Sequence, residues 1–176
     1  MRPVALALLL AGLTAAIPCF AIDGYFADTG GADGIQSVKL GMIRHWNRQW
    51  LHRDNWHLTG YWEAALAYLR SDGPNGAGAV DVGLTPVFRL RPDASGGVQP
   101  YLDAAIGLHL VSKSRLDDRH NLGCALQFGP LFGLGVTFGD KSQYDLGYRF
   151  QHLSNAGIAQ PNDGISLHEV RLTYLY

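Results

Sequence analysis

The stretch "YDLGYRFQHLSNAGIAQPNDG", residues 144–164, holds the residue types best suited to chemistry. Tyr144, Leu146, Tyr148 and Phe150 alternate on one face of a strand, with Asp145, Gly147, Arg149 and Gln151 on the other. Two further steps along the apolar face arrive at His152 and Ser154. Side chains two residues apart on a strand share a face and come within hydrogen-bond reach with modest adjustment. A histidine, which titrates near neutrality, can take the proton of a serine hydroxyl and pass it to a leaving alkoxide. Gly157 frees the following backbone to turn N–H groups towards a developing negative charge. The pair therefore has the makings of an ester hydrolase. A bare His-x-Ser also fits two polar residues at a membrane rim that meet headgroups or water, and for these two residues alone that second reading is the simpler one.

The elements that must position them are strands. "VKLGM", "WHLTGYWEAALAY", "VDVGLTPVFRL" and "LDAAIGLHL" each alternate apolar and polar residues, which is the period of a half-buried strand. Segments 121–128 and 131–138 are separated by "GP". Taken as a hairpin they bring the expected strands to eight, the even number that single-chain outer-membrane barrels require. The expected strands are 35–46, 55–69, 77–90, 100–112, 121–128, 131–138, 143–153 and 165–176, with 22–34 as an irregular arm. "SDGPNGA", "RPDASGGV" and "GDKS" supply the turns.

The apolar face carries bulky Trp, Leu and Phe on nearly every strand, while the other carries Gly, Asp, Glu, Arg, His and Thr. Lipid as the outer solvent puts the apolar face outside, and Glu63, Asp81, Arg89, Asp103 and His109 then fill a narrow polar interior. Trp46, Trp56, Tyr68, Tyr174 and Tyr176 suit interfacial girdles. The fold class expected is all-β: an eight-stranded antiparallel outer-membrane β-barrel. A soluble lipocalin-like binder, with the same alternation turned inside out, is the rival fold.

Composition agrees with export and excludes other classes. "MRPVALALLLAGLTAAIPCFA" reads as a secretory signal peptide, with a basic start at Arg2, an apolar run from Val4 to Ile17 and cleavage after Ala21. Lipoprotein cleavage before Cys19 is disfavoured by the "AIPC" context. Residues 22–176 then form a single domain whose lone cysteine, Cys124, shares the parity of Leu122 and Leu126 and can form no internal disulfide. A net charge of −1 without a basic cluster gives no reason to expect nucleic acid. His45, His52, His57, His109 and His120 show no metal-ligand spacing, and neither a metal nor a cofactor is expected.

The segment "HLSNAGIAQPNDG" closely resembles the diagnostic segment of the lipid A 3-O-deacylase (PagL) family, through His152, Ser154, Asn155, Ala156, Gly157 and then "QPNDG" at 160–164. Softer similarity runs through "LTGYWEAALAY" and "LTPVFRL". The resemblance implies an outer-membrane enzyme with lipid A, or lipopolysaccharide, as substrate and a Ser-His-Glu triad. Carried over by position, Ser154 is the nucleophile, His152 the general base, and Asn155 and Gly157 contributors to the oxyanion hole. The family's acid falls fourteen residues after the histidine, where this chain has Ser166. Ser166 as a neutral partner, Glu169 brought outward by a bulge, and Asp163 in the turn are the three candidates for the third position. A histidine without a carboxylate loses an orienting and charge-stabilising partner, so a slower enzyme is expected. A non-catalytic structural or adhesive barrel is the rival reading, and a homodimer is compatible with the pattern.

Overall fold

The computed structural model describes residues 21–93 and 97–176, so the expected signal peptide lies outside the described residues but for Ala21. Nine strands run in chain order: β1 (Gly24–Ala32), β2 (Ile35–His45), β3 (Trp50–Arg53), β4 (Trp56–Ser71), β5 (Gly78–Pro92), β6 (Gln99–Val111), β7 (Leu126–Phe138), β8 (Tyr144–Leu153) and β9 (Ile165–Leu175). All neighbouring pairs are antiparallel. β2 pairs with β4 and β1 with β9, which closes eight strands into a barrel and leaves β3 as a short hairpin addition.

Two expectations are corrected. The irregular arm 22–34 is in truth β1, the strand that closes the barrel between β2 and β9. Segments 121–128 and 131–138 are not a hairpin, because Leu126–Phe138 runs as one strand through the "GP" at 129–130. Pro130 has no N–H to give to a ladder. The β7–β8 ladder is interrupted there, between the Leu131–Gln151 pair and the Phe128–Ser154 bridge. One strand gained and one lost leave the expected total of eight intact.

Apolar side chains face outward. Val38, Leu40, Leu66, Val82, Leu84, Leu108, Leu134, Leu146 and Leu172 are all exposed, on seven different strands. Inside, Arg171 donates to Asp28 and Glu63, Arg149 to Glu63, Tyr61 and Asp103, and Arg89 to Asp103 and Asp145. Lys39 donates to Glu169 and Gln151. Buried charges persist when each finds a partner, and this set compensates itself across the barrel's width. Two apolar layers bound the network. Phe26, Ile43, Tyr61 and Val87 lie towards the end that holds the termini. Ile35, Leu69, Val111, Leu153, Ile165 and Leu167 lie at the opposite end. There Leu116 and Leu122, both fully buried, reach in from the loop 112–125 and tie it across the mouth of the barrel.

Candidate active site

β8 delivers His152 and Ser154 to the outer wall near that mouth. Both are half-exposed and flank the buried Leu153, as outward positions of an alternating strand must. Ser154 continues β8 past its last paired residue by exchanging two hydrogen bonds with Phe128, Phe128 N–H to Ser154 O at 2.7 Å and Ser154 N–H to Phe128 O at 3.1 Å. The nucleophile candidate is therefore held by β7 even though β8 has formally ended.

His152 pairs across the sheet with Ser166 of β9, and its Nδ1 lies 3.1 Å from Ser166 Oγ. In the tautomer protonated at Nδ1, that nitrogen donates to the hydroxyl and the lone pair falls on Nε2. The ring lies over Gly164, where a Cβ would come within 2.7 Å of Cε1 and 3.0 Å of Nε2. Gly164 follows the Leu153–Ile165 pair by one step, so the far edge of the imidazole sits at the level of Ser154. Gly164 also has φ of +70°, a conformation that costs other residues energy. Its role is thus wider than the turn that its sequence context suggests.

Of the other candidates for the third position, Glu169 is corrected. It is fully buried inside the barrel, where it accepts from Lys39 Nζ at 2.7 Å and Ser37 Oγ at 2.8 Å. Ladder parity holds from His152–Ser166 down to Arg149–Glu169, and no bulge turns the carboxylate outward. Asp163 accepts from the Asn121 N–H at 2.8 Å and makes no hydrogen bond to His152. Ser166 is the group that touches the imidazole.

The segment after Ser154 is a compact ring of hydrogen bonds built on Asn155, which is completely buried. Asn155 Oδ1 accepts from the Gly157 N–H at 2.8 Å, and Nδ2 donates to Leu122 O at 2.8 Å and Ala159 O at 2.9 Å. The Asn155 N–H donates to Asn162 Oδ1 at 3.0 Å. Both hydrogens of the Asn155 amide and the Gly157 N–H are therefore engaged, so neither residue offers a free donor. The Ala156 N–H has no acceptor among the described residues, and Ala156 is held at φ of +53° and exposed. Asn162, whose sequence context suggests only a turn, is part of the ring.

A polar cavity of about 160 Å³ opens behind the His152–Ser166 contact, lined by Asp33, Arg119, His120, Asp163 and both of those residues. Sequence reading found no use for His120. In the structure its Nδ1 lies 2.9 Å from the carboxylate of Asp117, which is buried and also accepts from Ser71 Oγ and the N–H groups of Arg119 and His120. The only available signal was an Asp and a His three apart in a loop, which is too common to stand out. No cluster of three or more metal-binding side chains occurs among the described residues.

The family described as lipid A 3-O-deacylase (PagL) matches residues 36–175. The lipid A deacylase PagL of Pseudomonas aeruginosa is 35% identical over 142 residues, 80% of this chain and 79% of the relative. That of Bordetella bronchiseptica is 34% identical over 156 residues, 81% of this chain and 83% of the relative. The crystal structure of the outer membrane enzyme PagL superposes with a TM-score of 0.78 at 31% identity, covering 87% of this chain and 99% of that one. With the barrel, the apolar outer wall and these matches together, the chain belongs to the lipid A 3-O-deacylase (PagL) family of outer-membrane enzymes.

Proposed function

We propose that this chain cleaves the 3-O-linked acyl ester of lipid A by serine–histidine hydrolysis on the outer wall of the barrel, at the rim away from the termini. The observation that carries the reading is the His152 Nδ1–Ser166 Oγ contact, which turns the Nε2 edge of the ring towards the level of Ser154. Ser154 Oγ attacks the acyl carbonyl while His152 Nε2 takes its proton. The tetrahedral oxyanion is met by the Ala156 N–H, presented by the left-handed turn that Asn155 and Asn162 hold in place. Asn155 and Gly157 thus build the oxyanion site instead of donating into it. Collapse passes the proton from His152 to the departing sugar oxygen, and the acyl group stays on Ser154. Water, deprotonated by His152, then releases the 3-hydroxy fatty acid and regenerates the hydroxyl. Two polar residues on a lipid-facing wall are costly without such a use.

The test is mass spectrometry of lipid A from cells expressing the chain, beside a Ser154→Ala variant. Loss of one ester-linked 3-hydroxyacyl group with the wild type and none with the variant is the expected result. Unchanged lipid A with wild-type protein folded in the outer membrane would overturn the reading in favour of a silent barrel.

A further inference from the structure

We infer that Asp117 and His120 are positioning residues of the reaction, supplying through the cavity behind Ser166 the negative charge that His152 receives from no carboxylate directly. The inference rests on the serine–histidine reading above. It begins from the hydroxyl of Ser166. With His152 protonated at Nδ1, as a base acting through Nε2 requires, Ser166 Oγ accepts and its own hydrogen is free to be donated into the polar cavity that Ser166 lines together with His120. A buried water requires roughly 10–15 Å³ of such space and two to four polar partners. The cavity of about 160 Å³ has room for several waters.

His120 is suited to terminate such a chain. Asp117 takes its Nδ1–H, so Nε2 is left as an acceptor. Asp117 itself is 2% exposed and pinned by Ser71 and by two backbone N–H groups, so its charge is fixed in place. Leu116 and Leu122 anchor the loop that carries the pair. The donors then run in one direction: His152 Nδ1–H to Ser166 Oγ, Ser166 O–H to water, water to His120 Nε2, His120 Nδ1–H to Asp117. No proton crosses the chain. Each bond polarises the next, and the imidazolium formed at His152 is stabilised at a distance by Asp117. Of the other charged groups at the cavity, Asp163 accepts from the Asn121 N–H, Arg119 donates to Asp33 O, and the Asp33 carboxylate stands on the exposed turn at the cavity's edge.

The experiment is a set of double-mutant cycles on the full mature chain in detergent, with release of 3-hydroxy fatty acid from lipid A as the readout. His120→Gln leaves Asp117 its bonds to Ser71 and the backbone, so it tests the link without removing the loop's anchor. We expect H120Q and D117N each to lower kcat by about tenfold, within the range for coupled neighbours, with KM unchanged. In the S166E background, where a carboxylate meets His152 directly, each should change kcat less than about twofold. D163N should have little effect in either background. Equal losses of H120Q in both backgrounds would show a structural role only and overturn the inference. Overturning it too would be no loss in either background, or an inert wild type beside an active S166E. Release that survives Ser154→Ala would instead sink the serine–histidine reading itself.

Discussion

In the proposed mechanism, the contact between His152 Nδ1 and Ser166 Oγ orients the base but places no charge against the imidazolium that forms when Ser154 is deprotonated. Ser166→Glu should therefore raise kcat by about tenfold or more while leaving KM within about twofold, measured as released fatty acid, since removal of a directly bonded carboxylate from a serine–histidine pair costs up to about 10⁴. Gly164 sets the opposite limit. A methyl at this position must displace the imidazole edge and also bear an unfavourable φ. Gly164→Ala is expected to cut kcat by about 10², the scale of a misplacement of one ångström. The barrel should still migrate as a folded species in unheated gels.

At the level of elements, the loop 112–125 joins the apolar cap to the site. Burial by itself would push the Asp117 carboxyl up. Hydrogen bonds from Ser71, from His120 and from the backbone N–H groups of Arg119 and His120 outweigh that and hold it well below the usual carboxylate range. A depressed folded value means that the stability it gives the loop is complete above the ordinary carboxylate range. That stability is lost only as the pH falls through the lower folded value. Limited proteolysis should accordingly find 112–125 equally protected at neutral pH and at about pH 4.

Much of this architecture is legible in the sequence. Six of the eight expected strands stand near their anticipated bounds, because lipid on one side and a packed interior on the other enforce period 2. β1 escapes because its outward residues are Tyr25, Ala27 and Thr29, small or polar enough to leave no apolar stripe, with glycines at 24, 30 and 31. β7 escapes for the opposite reason, since a proline that normally ends a strand is tolerated where the ladder to β8 is already broken. At the site, His152 and Ser154 are visible as polar intrusions in an apolar face. The anchoring of Asn155 to Leu122, and the seating of the Asp117–His120 pair against Ser71 and beside Ser166, depend on contacts between segments far apart in the chain, which no local pattern records.

For the molecule as a whole, the interior is a compensated set of charges between two apolar layers. Such a barrel is a filled scaffold, and no ion conductance is expected in planar bilayers. Arg171 sits at the centre of the network, fully buried between Asp28 and Glu63 with its guanidinium 3.6 Å from the Phe26 ring centroid. Arg171→Met leaves two buried carboxylates short of a partner. It should destabilise the barrel by about 3–5 kcal/mol in urea unfolding from micelles. The half-exposed placement of His152 and Ser154 on the outer wall has one more consequence. Encounter takes place in two dimensions, so the variable that governs rate is the number of lipid A molecules per unit area of leaflet. Diluting lipid A with inert phospholipid in the same vesicles should slow turnover in proportion, whereas diluting the vesicles in buffer should leave each enzyme's rate unchanged.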